Sequence, residues 1–213
     1  MKKTTILMVF IGYFSLSSIL TGCFNVNKNY PVKHDFVLSA SRSETFSPSA
    51  SNGILKIQRF YVSPRFNGQG FVYKTGPLSY ESDFYNRFFI PPGEMIAEDV
   101  GKWLSGSGLF KYVMDFSSPV EATFELSGVV SALYGDYSNM GTPKAVLEIQ
   151  FFLVRTISSR RVIVFGHTYR QETPIKENSP DALAAGWNLA LDRILTRFET
   201  DLKHLDLSQE QIS

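Results

Sequence analysis

The sequence is poor in the residues that bind metals or form covalent cross-links. It has one cysteine and three histidines among 213 residues, and His34, His167 and His204 lie far apart in the chain. A single cysteine excludes an internal disulfide and every zinc or iron–sulfur site that is built from several cysteines. We therefore expect the chain to bind no metal ion and no cofactor.

The sequence also has no excess of charge of one sign. Lys and Arg total 21 and Asp and Glu total 20, which gives a net charge of +1. Binding to a phosphate backbone requires a clustered excess of basic residues, so we expect no nucleic-acid partner. Hydrophobic residues make up 44% of the chain and charged residues 19%, a composition that can form a buried core.

The common catalytic motifs are missing as well. The chain contains no G-x-S-x-G, no H-E-x-x-H and no G-x-x-x-x-G-K-[ST] sequence. Ser107 lies in an SGSG segment that is typical of the end of a helix, and the pair Gly68 and Gly70 lacks the third glycine of a nucleotide-binding loop. We therefore predict no catalytic residue, and we expect that the protein is not an enzyme.

Long hydrophobic runs are absent except for one at the N-terminus. Two lysines at positions 2 and 3 precede the uncharged stretch Ile6–Leu20, which is 15 residues long. That length is typical of a secretory signal peptide, whereas a transmembrane helix needs about 20 apolar residues. The stretch ends in the sequence LTGC at residues 20–23, which resembles the lipobox of bacterial lipoproteins.

The lipobox resemblance predicts a lipid anchor. Residues 1–22 form a signal peptide that is cleaved between Gly22 and Cys23, and the thiol of Cys23 takes a diacylglycerol group. A diacylglyceryl group together with an N-acyl chain anchors a protein stably, because one chain alone binds only marginally. In enterobacterial-type sorting an Asp directly after the cysteine retains a lipoprotein in the inner membrane. This chain has Phe24 there, which favours the outer membrane of a Gram-negative bacterium, with the protein on its periplasmic face. The alternative is an uncleaved anchor in which Cys23 is a buried or free thiol.

Periodicity along the remaining chain predicts a single α+β domain over residues 34–207, between a tether at 23–33 and a tail at 208–213. Two helices are predicted, one from Pro91-Pro92 to Ser107 and one that begins after the capping Ser179 and ends near Leu202. Strands are predicted over residues 34–40, 54–62, 71–74, 78–82, 122–134, 144–156 and 161–172. We predict a mainly antiparallel sheet with both helices packed on it.

Alternation in the first long strand predicts which face is buried. Phe124, Leu126, Val130, Ala132 and Tyr134 fall on one face, and polar residues fall on the other. Such a half-buried pattern is typical of antiparallel sheets. The three long strands follow one another through short turns, which predicts a meander.

An aromatic segment precedes the first predicted helix and has two interpretations. Its members form core packing beneath the helix, or they form a contact surface, because aromatic residues and arginine are enriched in protein interfaces. The candidate partner interface consists of Tyr85, Arg87, Phe88, Phe89, Pro91 and Pro92.

The chain resembles the ABC-type transport auxiliary lipoproteins, which include the lipoprotein of the paraquat-inducible (Pqi) type. The resemblance runs from Asp35 to about Leu202. Its most specific part is formed by Tyr85-Asn86-Arg87, Pro91-Pro92, Trp103-Leu104 and Ser107-Gly108-Leu109-Phe110. Family members usually have Trp after the Arg and Ala or Glu before the prolines, whereas this chain has Phe88, Phe89 and Ile90 there. Any role of that Trp is therefore not transferred.

The resemblance implies a function that the composition does not show. Such lipoproteins accompany an ABC permease, its ATPase and a periplasmic MCE-domain protein that moves lipids or other hydrophobic molecules between membranes. The chain would then be a non-enzymatic docking or receiving subunit at the outer membrane, and a homo-oligomeric ring would suit that role. Two alternatives stay open: a periplasmic carrier that holds an acyl chain between sheet and helices, and an envelope hydrolase.

Overall fold

The computed structural model describes residues 32–42, 52–139, 141–205 and 207. The predicted signal peptide, Cys23 and the tail at 208–213 lie outside the described residues. The described part contains nine strands and two helices. In chain order these are β1 (His34–Phe36), β2 (Ile54–Ile57), β3 (Tyr61–Val62), β4 (Gly70–Lys74), β5 (Tyr80–Phe88), α1 (Pro92–Ser105), β6 (Tyr112–Asp115), β7 (Phe124–Asp136), β8 (Lys144–Ile157), β9 (Arg160–Pro174) and α2 (Pro180–Lys203).

The long strand β7 organises the sheet. On one side it pairs with β8 along its whole length, and β8 pairs with β9, so these three strands form the predicted antiparallel meander. On its other side β7 pairs in succession with the short strands β2, β3 and β4, all of them parallel to it. Strand β6 lies beyond β2, β5 lies beyond β4, and β1 lies beyond β5. The predicted α+β class is confirmed, and the sheet is mixed because of these short parallel strands.

The turn between β8 and β9 is a two-residue loop formed by Ser158 and Ser159. Both residues have positive φ angles, 45° and 69°. Two successive positive φ angles are characteristic of the type I′ turn, whose twist matches that of the strands it joins. This turn sets the register of the longest strand pair in the sheet.

A bulge in β7 corrects the predicted faces of that strand. The register shifts between Val130 and Ala132, so that Val130 lies opposite Ile149 and Ala132 lies opposite Glu148. Successive residues of a strand point to opposite faces, and an extra residue in one strand reverses the alternation beyond it. The prediction that Ala132 and Tyr134 share the face of Phe124 is therefore wrong, and Leu133 takes the core position instead.

Helix α2 packs over β8 and β9, as its apolar stripe predicts. The rings of Phe198 and Phe151 stack with their centroids 4.2 Å apart and their planes 5° apart. The helix begins as predicted, because the Ser179 hydroxyl accepts a hydrogen bond from the backbone N–H of Ala182 at 3.2 Å. Neither described helix is long and apolar enough to cross a bilayer.

Helix α1 lies against β2, β3 and β6. Gly93 in its first turn explains the close approach, because a Cβ at this position would lie 2.9 Å from the carbonyl oxygen of Phe60. Only glycine leaves enough space for that contact. The helix begins and ends within two residues of the prediction.

Several strands outside the meander differ from the prediction, and β1 ends at Phe36 where the prediction extended it to residue 40. The segment 54–62 forms two separate strands, β2 and β3, each paired with a different part of β7. Strand β5 extends to Phe88, and the unpredicted β6 pairs with β2. These strands are short and depend on pairing with distant residues, so local periodicity does not determine their bounds.

Candidate functional site

The predicted aromatic segment divides into a buried part and an exposed part. Phe88 is buried, with its ring centroid 4.8 Å from that of Phe71 and 5.3 Å from that of Trp187. Pro92 is also buried, as the first residue of α1. Replacing Phe88 would therefore test the stability of the fold and not a docking surface.

The exposed part protrudes from the sheet because β5 is irregular there. Gly70 lies opposite Arg87 and Val72 lies opposite Ser82, so residues 83–86 of β5 face a single residue of β4. Phe84 projects from this bulge and is 67% exposed.

Asp83 stabilises the bulge. Its carboxylate accepts hydrogen bonds from the backbone N–H groups of Tyr85 and Asn86, at 2.7 and 3.0 Å, and from the Tyr73 hydroxyl at 2.8 Å. Burial raises the pKa of Asp83, but the hydrogen bonds from Asn86, Tyr85 and Tyr73 outweigh it and leave this pKa lowered. The carboxylate is therefore ionised at neutral pH.

Arg87, Phe89 and Pro91 complete the predicted interface. Arg87 lies opposite Asp35 on β1, and its Nε is 2.7 Å from the Asp35 carboxylate. Both side chains of this ion pair are about one third exposed, a setting in which such pairs contribute little stability. Phe89 and Pro91 are exposed. Pro91 is the one of these three that lines the groove described next.

A groove of about 630 Å³ lies between α1, the β2–β3 connection and the end of β6. Its surface is mainly apolar. Small residues on α1 form one wall at steps of four, and aromatic side chains stand at the rim. The small residues are Gly93, Ala97 and Gly101, and the aromatic residues are Tyr61 and Phe116.

Charged side chains lie around the groove and contact neighbouring groups. The Arg59 guanidinium lies 4.2 Å from the centroid of the Phe116 ring, and Lys102 lies 2.6 Å from Glu98. The hydrogen bond to Glu98 raises the pKa of Lys102, and hydrogen bonds from Ser117 lower the pKa of Asp115. These shifts favour the charged forms, so neither group is tuned to exchange a proton near neutral pH.

This groove was not predicted from the sequence. One signal in the sequence was available, namely the small residues Gly93, Ala97 and Gly101 along one side of α1. The opposite wall comes from the β2–β3 connection and from β6, which lie far apart in sequence. Their meeting depends on the pairing of β2 with β6 and β7.

The segment at residues 38–42, which we call the strap, ties β1 to both helices. Successive backbone N–H groups of residues 39–41 donate to the side chains of Asn188, Asp99 and Asp192, at 3.0, 2.9 and 2.7 Å. Leu38 at its start is buried in the core.

The strap ends in a buried ion pair. The Arg42 guanidinium forms a two-pronged contact with the Glu199 carboxylate on α2, and the Trp103 indole N–H donates to the same carboxylate at 2.8 Å. Burial raises the pKa of Glu199, but hydrogen bonds from Arg42, Lys203 and Trp103 outweigh it and lower the pKa overall. Glu199 is thus held ionised between the two helices.

Asp99 makes the stability of the fold depend on pH. Burial raises its pKa from 3.8 to about 6, against a smaller opposing effect of the Ala40 N–H hydrogen bond. The Asp99 carboxyl therefore binds its proton more tightly in the folded than in the unfolded state. The free-energy cost of burying the charged carboxylate is present above pH 6 and disappears as the pH falls towards 3.8. Asp99→Asn retains an acceptor for Ala40, and we expect it to be more stable than the native chain by about 1 kcal/mol at pH 8.

Urea unfolding of the full chain at pH 8 and pH 4.5, followed by tryptophan fluorescence, tests this expectation. The difference between Asp99→Asn and the native chain should decrease towards zero at the lower pH. Titration of the other groups affects both proteins and cancels in the difference. An equal difference at both pH values would contradict the assignment.

The histidines do not form a site. His34 lies in β1, His167 in β9 and His204 directly after α2, and all three are exposed. Within the described residues no group of three or more His, Cys, Asp or Glu side chains is arranged to hold a metal ion.

Comparisons with known proteins identify the fold. No protein-family model and no curated protein matches the chain. Protein XCC0632 from Xanthomonas campestris, described as family-model DUF330, matches with a TM-score of 0.62 and 18% identity, over 76% of this chain and 91% of that chain. An uncharacterized protein of known crystal structure matches with a TM-score of 0.63 and 15% identity, over 80% of this chain and 99% of that chain. This chain shares their fold.

A third similarity is weaker. Lipoprotein GNA1162 from Neisseria meningitidis matches with a TM-score of 0.35 and 8% identity, over 68% of this chain and 99% of that chain. That TM-score is too low to establish a shared fold. The comparisons therefore establish the architecture, and function has to be argued from the chain's own surfaces.

Proposed function

We propose that the protein is a non-enzymatic, lipid-anchored subunit of an ABC/MCE-type transport system that moves lipids or other hydrophobic molecules between membranes. In this proposal the acylated Cys23 holds the chain in the outer membrane, and the folded domain faces the periplasm. The domain docks an MCE-domain protein, which works with the ABC permease and ATPase of the inner membrane.

The groove beside α1 is the observation that carries the docking role. It is open, mainly apolar and rimmed by Tyr61 and Phe116, which are 58% and 46% exposed. Large aromatic side chains at a concave apolar surface are typical of sites where partners contribute most of their binding energy. The sequence resemblance to auxiliary lipoproteins supplies the kind of partner.

The proposal assigns the groove no chemical step. Its described lining includes no histidine and no cysteine, and its carboxylates and basic groups are exposed. An active site for acyl or phosphoryl transfer requires a nucleophile, a base and an oxyanion donor within hydrogen-bond reach of one point.

A detergent pull-down of the full-length lipidated protein from native membranes tests the proposal. We expect an ABC ATPase or an MCE-domain protein to co-purify with the native chain. Phe116→Asp places a charge at the groove and should reduce that recovery by roughly tenfold, the loss expected for one interface anchor of about 1.4 kcal/mol. Leu189→Asp is the matched control, because Leu189 is comparably exposed but lies on α2.

Two further results complete this test. Cys23→Ser should remove the acyl groups from the chain, measured as its mass, because no thiol is then present to take them. Recovery of the native chain without any transport component, or equal recovery with Phe116→Asp, would contradict docking through the groove.

A lipid carrier is the second candidate, and the size of the groove favours it. A volume of about 630 Å³ lies within the range of about 300–1,000 Å³ that is typical of small-molecule pockets. The groove lies at the surface beside α1. The space between α2 and the sheet is filled by aromatic rings and leaves no room for an acyl chain there. Lipid extraction of the purified protein, followed by mass spectrometry of the extract, distinguishes a lipid carrier from a docking subunit. A carrier yields free phospholipid in stoichiometric amount, and that amount falls in Phe116→Asp.

A further inference from the structure

The direction of β1 determines the end of the sheet at which the anchor segment joins the domain. Strand β1 runs parallel to β5, with His34 opposite Asn86 and Phe36 opposite Phe88. Parallel strands begin at the same end of a sheet. The chain therefore enters β1 from the side of the β4–β5 hairpin, at the level of the bulge formed by residues 83–86 of β5.

This end of the domain, which we call the hairpin end (residues 75–85), exposes large apolar side chains. Leu78 at the tip of the turn is 94% exposed and Phe84 in the bulge is 67% exposed. Tyr80 and Tyr85 are each about two fifths exposed, and the rings of Phe84 and Tyr85 meet edge to face at 5.3 Å. Large exposed apolar side chains, two of them in contact with each other, are characteristic of surfaces that contact a partner or a membrane.

Lys33 links the anchor segment to this cluster. Its ammonium nitrogen lies 4.0 Å from the centroid of the Phe84 ring, and Lys33 directly precedes β1. The last residue of the predicted tether is therefore held against the bulge.

The hairpin end has no excess of basic residues. Lys33 and Glu81 have opposite sign, and Lys74 pairs with Asp136 at 3.4 Å. Asp83 is engaged by Tyr73, Tyr85 and Asn86 within the bulge. The surface thus offers apolar contact without a net attraction for anionic groups.

The length of the tether limits the distance between the domain and the bilayer. Cys23 and Lys33 are ten positions apart in the sequence. A chain segment of that length spans at most about 35 Å. A surface held so close to a membrane encounters it at a high effective concentration, so a contact too weak to recruit a free protein suffices.

We propose that the hairpin end contacts the bilayer that holds the anchor, with Leu78 and Phe84 entering the boundary between headgroups and acyl chains. This inference rests on the lipid anchor of the proposed function. Aromatic rings are favoured at that boundary. The contact orients the groove relative to the membrane, and it needs no anionic lipid because the surface has no excess of positive charge.

Fluorescence quenching by brominated lipids tests the contact. The full-length lipidated protein is reconstituted into phosphatidylcholine vesicles whose acyl chains are brominated or unmodified. Phe84→Trp adds a reporter at the hairpin end, and Tyr61→Trp is the matched control in the groove, with comparable exposure. Both variants retain the native Trp103 and Trp187, which are buried and give the common background.

We expect brominated lipid to remove more than about half of the emission added by Phe84→Trp, because an indole at the headgroup boundary lies within contact distance of the bromines. The emission added by Tyr61→Trp should remain. The same result is expected at high salt, because the contact is apolar.

Flotation of the vesicles separates the failure of this inference from the failure of the anchor. If the protein floats and Phe84→Trp is not quenched, the membrane contact is overturned and the anchor stands. If the chain with an intact Cys23 does not float, both are overturned. Equal quenching of the two reporters overturns the proposed orientation of the domain. If the Phe84→Trp reporter is not quenched and Phe84→Ser abolishes recovery of the partner in the pull-down, the hairpin end is a protein interface instead.

Discussion

Replacing Trp187 with alanine is expected to lower the free energy of unfolding by about 3–5 kcal/mol, the range observed when a large buried aromatic side chain is removed. The indole is fully buried and contacts the rings of Phe71 and Phe88, at centroid distances of 4.8 and 5.3 Å. Its N–H also donates to the carbonyl of Tyr134 at 3.3 Å. These contacts join α2 to β4, β5 and β7, and the cavity left by alanine would lie where those elements meet.

Urea unfolding monitored by circular dichroism measures the effect of Trp187→Ala without depending on the lost fluorophore. Leu189→Ala is the matched control, since Leu189 lies two residues away on the same helix and is 42% exposed. We expect that control to change stability by less than about 0.5 kcal/mol. A loss below about 1 kcal/mol for Trp187→Ala would show that the core packs differently from this description.

Replacing Glu199 with alanine is expected to cost about 3–5 kcal/mol, because removal of one partner from a buried ion pair leaves charge and donors without their acceptor. The Glu199 side chain is 7% exposed, and it accepts from Arg42 and from the Trp103 indole. Alanine removes the acceptor that joins the end of the strap to both helices. Glu98→Ala is the control, because the Glu98–Lys102 pair is exposed and worth at most about 0.5 kcal/mol.

The pH dependence of this loss has a definite sign. The folded-state pKa of Glu199 is lowered below its ordinary value of 4.5, so the ionised carboxylate stabilises the fold above that value. The stabilisation disappears as the pH falls through the folded-state pKa. The difference between the native chain and Glu199→Ala, measured by urea unfolding, should therefore be full at pH 7 and decrease below pH 4.5. An unchanged difference at acidic pH would contradict the role of the charge.

The long elements were predictable because their hydrophobic periodicity repeats many times. The stripe from Leu183 to Leu202 predicted α2, and alternation predicted the first two strands of the meander. The third strand was predicted from the turn at Ser158 and Ser159 that leads into it. Each repeat adds to the same local signal, and the packing of Phe198 on Phe151 agrees with it. The capping of α2 by Ser179 was predictable because it depends only on neighbouring residues.

Features that depend on distant pairing were not predictable. The bulge at Ser131 reverses the faces of Ala132 and Tyr134. Ala132, Leu133 and Tyr134 are all apolar, so the sequence does not show which of them faces the core. Strand β6 is defined by its register with β2, and the groove exists only because these strands lie beside α1. The aromatic segment was recognised, but burial of Phe88 beside exposed Phe84 and Phe89 follows from the bulge in β5.

The strap gives the domain a mechanical property. A pull on the tether acts along β1, whose hydrogen bonds to β5 would be loaded in shear, all at once and not one after another. Behind β1 the load passes through residues 39–41 to side chains of both helices and ends at the Arg42–Glu199 pair. Tension applied at the start of β1 is thus distributed over the sheet and both helices together.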